Sequence, residues 1–454
     1  MLPAPLDAVH AALSFLTGQS TPLVAVLHGR AVTIEETVIL LLALAAVVAI
    51  VSRVLHLPYT IVLVVVGLIV GLIGHVTTVT LSADLAYYVF LPVILFQAAL
   101  ETPAHHLRSN WLPIALLVLP GVLVSFALTA LGLRALGETW TVAWIFAALI
   151  VATDPVSVVA LFRRLHVDRR LTTILDCESM FNDGVAAVLF TIVVGALITG
   201  NGLHPVGAGL RFLWMGGGSL VFGVALGYLA YRLHRLIDEP MLELLFTTIL
   251  AYGSFLAAES LHMSGPVACT AAGIVAGNVA RGRGMTRDVR RAVGYFWEYA
   301  AFLVNSLVFL LIGLSVNLND IGGRLGLVLA AFAVVVLARA ANVYGFGVTM
   351  LVARRPLPWS WLHVINWGGL RGTVALALVL SLPSDTPHLA TIRVLTFGVV
   401  LLSLLVEGLT MPALVGALHL RQPQERKRSG AGPASSAGRR DAATRPETGP
   451  DTRG

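Results

Sequence analysis

Three short stretches place ion-coordinating side chains inside runs that are otherwise apolar: Thr153-Asp154-Pro155, Asp176-Cys177-Glu178-Ser179-Met180-Phe181-Asn182-Asp183, and Gly368-Gly369-Leu370-Arg371-Gly372. A charge held in hydrocarbon is costly, so each stretch is a functional hypothesis. In the first, proline withholds a backbone donor and obstructs the preceding turn. The helix should therefore break beside Asp154 and free carbonyls for a cation. In the second, helical spacing puts Ser179 and Asp183 on one stripe and Glu178 and Asn182 on the neighbouring one, so one face can coordinate while the other positions. Asp176 shares the Asp183 face near the helix start, where it reads as a cap. In the third, glycines flank a buried arginine and permit unwinding or close packing. Asp154 and Asp183 are thus candidate metal ligands, and their oxygen chemistry suits a monovalent cation without choosing among sodium, potassium and lithium.

The elements that position these groups must be membrane helices. Of 454 residues, 57% are hydrophobic and 12% charged, against about 25% charged in ordinary soluble chains; mean hydropathy is +0.86. Apolar runs near the roughly 20 residues that cross a bilayer recur along the chain, which predicts an all-α polytopic protein rather than a barrel. About thirteen spans are predicted, at 33–54, 58–74, 85–102, 111–133, 140–162, 171–200, 206–231, 241–260, 264–280, 292–316, 324–352, 359–382 and 389–418. Loops alternating to one side carry fifteen arginines, among them Arg163, Arg164, Arg169 and Arg170, while the opposite loops carry three, Arg134, Arg211 and Arg324. The basic side is cytoplasmic by the positive-inside bias, and so is the C-terminus. The basic residues read as topology signals, which argues against a nucleic-acid partner. Two inverted six-helix repeats joined by the seventh span are the expected arrangement.

Depth follows from counting. Asp154 lies nine residues from Arg163 and Asp183 thirteen from Arg170, or about 14 and 20 Å at a rise of about 1.5 Å per residue. Both carboxylates therefore meet near the midplane. Arg371 is also deep and needs a buried anion, for which Glu178 is the best placed. Gln97 sits near mid-depth in the third span with Glu101 one turn closer to the cytoplasm. The tenth span adds Glu298 near its cytoplasmic end and Asn305 near the midplane. Glu259, Arg339 and Glu407 read as structural, His262 as solvated or packed near an outer loop, and Cys177 and Cys269 as packing residues. No zinc-ligand spacing or phosphate-cradling loop occurs, so no cofactor is implied.

At these residues the chain resembles the type 1 monovalent cation:proton antiporter family, the NhaP-like sodium/proton exchangers. The carriers are Thr153-Asp154-Pro155, Glu178-Ser179 followed by Asn182-Asp183, and Gly368-Gly369-Leu370-Arg371-Gly372. Softer support comes from Ser264-Gly265-Pro266 and from Trp297-Glu298 with Asn305. The resemblance implies that Asp154, Thr153, Ser179 and Asp183 contact sodium or potassium, with Asp183 as the carboxylate that exchanges it for a proton. It also implies a Glu178–Arg371 structural ion pair, with Asn182 in support. Crossed, partly unwound helices are implied too, in a homodimer whose core bundle moves against a dimerisation bundle. Many members carry an acid where this chain has Gln97, which leaves Glu101 as a substitute.

Two rival readings are a cation channel, which an acidic lining also suits, and an intramembrane aspartyl protease, whose Gly-x-Gly-Asp context is missing. One asymmetric midplane pocket favours alternating access over a channel. The exchanger domain is expected over 33–420, after an N-terminal segment 1–32 that forms an extra or surface helix. Residues 421–454 are expected to be a disordered basic tail.

Overall fold

The computed structural model describes residues 34–55, 59–74, 84–154, 156–165, 167–198, 205–234, 239–279, 286–315 and 321–420. The expectations for 1–32 and 421–454 lie outside these residues. Among the described residues every regular element is helical. The chain runs through α1 (Ile34–Leu55), α2 (Tyr59–Gly74), α3 (Leu85–Glu101), a short α4 (Ala104–Ser109), α5 (Trp111–Ala135), α6 (Trp140–Ile150), α7 (Val156–Leu165) and α8 (Arg169–Ile198). Then α9 passes from Pro205–Phe212 through a π-helical turn, Leu213–Gly218, into Ser219–His234. It is followed by α10 (Pro240–Ser260), α11 (Gly265–Val279), α12 (Arg287–Ser315), α13 (Leu325–Val352), α14 (Trp359–Trp367), α15 (Thr373–Leu380) and α16 (Leu389–Ala417). Seven of the described helices are each long and apolar enough to cross a membrane. Their outward side chains include Leu128, Val221, Ile249 and Leu337. Such an apolar exterior is stable only against lipid.

The helices sort into two bundles according to what packs on what. In one, α2 lies along α12, and α11 is wedged among α3, α9 and α10; in the other, α5 packs on α13, α6 and α8, and α16 on α13 and α6. Helix α8, which carries the acidic cluster, belongs to the second bundle but also touches α11 and α3 of the first. Helix α8 therefore borders the seam between the bundles.

Two spans are broken, and the breaks place the chemistry. The first stops at Ile150 and resumes at Val156. The reason lies in the residue type at position 155: a proline lacks the N–H that a continued helix would bond to the carbonyl of Val151, a proline ring in a continued helix would crowd that carbonyl, and the residue before a proline is disfavoured in helical geometry. The second span stops at Trp367 and resumes at Thr373, leaving Gly368–Gly372 unwound. They are the fifth and twelfth spans on the predicted count, seven apart in order, the offset that two six-helix repeats joined by one span require. The breaks touch directly, the Asp154 N–H donating to the Leu370 carbonyl at 2.7 Å.

Candidate functional site

Each broken helix leaves backbone groups that need partners in a dry interior. Arg371 answers part of that need. Its Nη1 donates to the carbonyls of Val151, at 3.4 Å, and Ala152, at 3.3 Å. The Val151 carbonyl is the acceptor that Pro155 leaves without an N–H, and both carbonyls sit at the C-terminal, partly negative end of α6. Arg371 thus neutralises a helix end from within the opposing break.

The glycines of the second break make the crossing possible by having no side chain. A Cβ on Gly372 would fall 2.3 Å from the Cβ of Asp154 and nearly on its carboxylate, and one on Gly369 would fall 2.8 Å from Nε of Arg339. Gly372→Ala is therefore expected to push Asp154 off its place, costing about 1–3 kcal/mol of stability as an overpacked contact. Thermal unfolding of the purified variant and its apparent sodium KM check this. A variant with the parent's midpoint and KM would show that the contact can relax.

The residues of α8 face the first break. Ser179 Oγ donates to the Thr153 carbonyl, and Asn182 Nδ2 donates to Thr153 Oγ1 at 3.2 Å and to Glu178 Oε1 at 3.4 Å. The Thr153 backbone hydrogen-bonds the Asp183 carboxylate, and Asp154 acts electrostatically on Asp183. Thr153, Asp154, Glu178, Ser179, Asn182 and Asp183 are all buried. Oδ1 of Asp183 and Oδ1 of Asn182 are buried and accept no hydrogen bond. Two neighbouring carboxylates with an unsatisfied oxygen cannot both stay charged in a dry place without a positive guest, a cation or a proton.

The expected Glu178–Arg371 ion pair is not what forms. Glu178 pairs with Arg339 of α13, Nη1 with Oε1 and Nη2 with Oε2 at 3.0 Å, and Arg339 Nη2 also donates to the Ile365 carbonyl at 3.0 Å. The physical reason is that Arg371 lies in unwound chain, where freed carbonyls capture its guanidinium, while Arg339 projects from a helix beside the second break. What the sequence withheld was the partner of Arg339, although a lone arginine in the middle of an apolar run was itself a signal.

The other candidates lie on α3, α10 and α12. Gln97 is half-buried on α3, and Glu101 is exposed at its last residue. Asn305 of α12 has a buried side-chain oxygen without a hydrogen-bond partner, and Glu298 is exposed. Glu259 accepts from Tyr87 Oη at 3.0 Å and from the Gly265 N–H at 2.8 Å, tying α3, α10 and α11 together.

Comparison with known proteins agrees with the geometry. The family description "sodium/hydrogen exchanger, transmembrane" matches residues 39–417. The antiporter NhaG of Bacillus atrophaeus is 38% identical, over 84% of this chain and 74% of its own length. The antiporter ApNhaP of Aphanothece halophytica is 36% identical over 82% and 72%, and NhaP of Pseudomonas aeruginosa 36% over 74% and 82%. The structure of the sodium proton antiporter MjNhaP1 from Methanocaldococcus jannaschii superposes with a TM-score of 0.72 at 20% identity, covering 86% of this chain and 99% of that one. The broken-helix crossing, the Asn182-Asp183 pair beside it and a match across nearly all of the membrane region lead to one assignment: the chain belongs to the sodium/hydrogen exchanger family of multi-pass membrane transporters.

Proposed function

We propose that this chain exchanges one sodium ion for one proton by alternating access at Asp183. The observation that carries the reading is the buried, hydrogen-bond-free Oδ1 of Asp183 beside the Asp154 crossing. In the sodium-loaded state, Asp183, Asp154, Thr153 and Ser179 supply oxygens to the ion. In the return state a proton takes its place on Asp183. A protonated carboxyl and a cation-holding carboxylate are mutually exclusive, and that exclusion couples the two fluxes. The names of the relatives, sodium/proton antiporters, point to sodium as the cargo, and the same oxygens accept potassium. The second bundle carries the site against the first, in a homodimer in the cell membrane with its C-terminus in the cytoplasm.

The stoichiometry rests on Asn182, which stands next to Asp183 and cannot titrate. The one-for-one mechanism needs Asp154 to stay ionised throughout the cycle, so that Asp183 alone exchanges a proton. No lysine precedes Lys427 to add a proton carrier. Exchange is therefore expected to be electroneutral. In proteoliposomes with fixed sodium and proton gradients, an imposed membrane potential should leave the equilibrium point of exchange where it was. A potential that moves that point shows net charge transfer and removes the single-carboxylate mechanism. The same vesicles separate exchange from a channel, because only an exchanger lets a proton gradient drive sodium uphill.

A further inference from the structure

Arg371 has two polar ends: its guanidinium neutralises the end of α6, and its backbone N–H is held separately. Its backbone belongs to the peptide unit shared with Leu370, and that unit is gripped from both sides. The Leu370 carbonyl accepts the Asp154 N–H at 2.7 Å. The Arg371 N–H donates to Ser403 Oγ at 3.1 Å, and Ser403 Oγ in turn donates to Glu407 Oε2 at 2.5 Å. Ser403 and Glu407 are buried on α16, within a π-helical turn over Ser403–Gly408. Such turns interrupt the regular backbone pattern and often accompany functional sites.

We propose that Ser403 and Glu407 are positioning residues: together they fix the plane of the Leu370–Arg371 peptide and thereby the backbone of Asp154 at the ion site.

The chain of contacts has a direction. Glu407 accepts, so the Ser403 hydroxyl hydrogen is committed to it, and the Ser403 lone pairs are turned toward the Arg371 N–H. That N–H in turn orients the carbonyl at the other end of its peptide toward Asp154. A peptide unit is planar and rotates as a whole, so losing the hold on its N–H frees its carbonyl as well. In a glycine-flanked, unwound stretch no helical hydrogen bond takes over. Bonds linked in series also polarise one another.

Glu407 works here as an acceptor rather than as the counter-charge to Arg371. Although Glu407 acts electrostatically on Arg371 and Arg339, the Arg371 guanidinium is already held by two carbonyls at the negative end of α6, and Arg339 by Glu178. A glutamine at 407 retains an oxygen for Ser403, and a leucine does not.

The proposal rests on the ion-site reading above, and the test separates the two. Sodium-driven proton flux is measured in proteoliposomes containing the full chain, giving KM and maximal rate, with the thermal midpoint of each purified variant as a control for folding. Ser403→Ala and Glu407→Leu should raise the sodium KM about tenfold, the scale of one buried hydrogen bond lost, with a smaller effect on the maximal rate. Glu407→Gln and Ser403→Thr, which keep the acceptor and the hydroxyl, should stay within about twofold of the parent because the bond is retained. An unchanged KM in Ser403→Ala overturns the proposal, and so does a Glu407→Gln as impaired as Glu407→Leu, which would make charge the agent. Asp183→Asn measured alongside reports on the ion site alone. Should it keep exchange, the ion-site reading fails whatever Ser403 does.

Discussion

Replacing Asp183 with asparagine is expected to bring sodium-dependent proton flux in vesicles down to background while the protein still inserts in normal amounts. The substitution is nearly isosteric, so the packing of α8 against the first break survives. Asparagine still offers the Thr153 backbone an acceptor. In the proposed exchange, what disappears is the ability to take up and release a proton, and with it the negative charge that would hold a cation at a site buried from water. The size of the effect follows from coupling rather than affinity. Without a group that alternates between proton and cation, neither gradient can do work on the other. Asp154→Asn tests the neighbouring role, since it keeps the titrating carboxylate and removes one ligand. It should weaken sodium binding while leaving some exchange at high sodium. Normal cation-dependent flux from Asp183→Asn would sink the mechanism outright.

The second large effect concerns stability. Glu178 and Arg339 are both buried and joined in a two-pronged pair. Removing either alone strands a charge in the membrane interior, at a cost of about 3–5 kcal/mol. Glu178→Ala and Arg339→Ala should each lower the thermal midpoint of the purified protein and its yield in the membrane. The double variant should recover much of the loss, because replacing both members of a buried pair is often close to neutral. The cycle also distinguishes the pair that forms from the one expected. Coupling of Glu178 to Arg339 should exceed its coupling to Arg371 by more than about 1 kcal/mol, well beyond the usual additivity error. A larger coupling to Arg371 would mean that Arg371 abandons the Val151 and Ala152 carbonyls in the working protein.

The membrane class and the places where two helices break could be read without coordinates, since both follow from local physics. Lipid forbids unsatisfied backbone, so apolar runs are helices. Pro155 and the glycines of 368–372 mark where those helices break. Counting residues from the arginine-rich loops puts Asp154 and Asp183 both near the midplane. The i, i+4 spacing put Ser179 and Asp183 on one face of α8, and both now face the broken span.

Partner choice was not legible in the same way. Among the described residues five buried acids, Asp154, Glu178, Asp183, Glu243 and Glu407, and two buried arginines, Arg339 and Arg371, allow several pairings, and depth counting assumes an unbroken rise per residue. That assumption fails for Arg371, whose segment is unwound, so its guanidinium goes to the carbonyls of the other break instead of to Glu178. The double grip on the Leu370–Arg371 peptide depends on α16 lying beside a segment more than thirty residues earlier, a neighbour relation that no local pattern encodes. Sequence alone determined which groups must be buried and where the helices must break, because propensity, hydropathy and proline geometry act over a few residues. Only the tertiary structure decided which buried charge meets which and what holds the crossing in place, because those contacts arise from the packing of helices far apart in the chain.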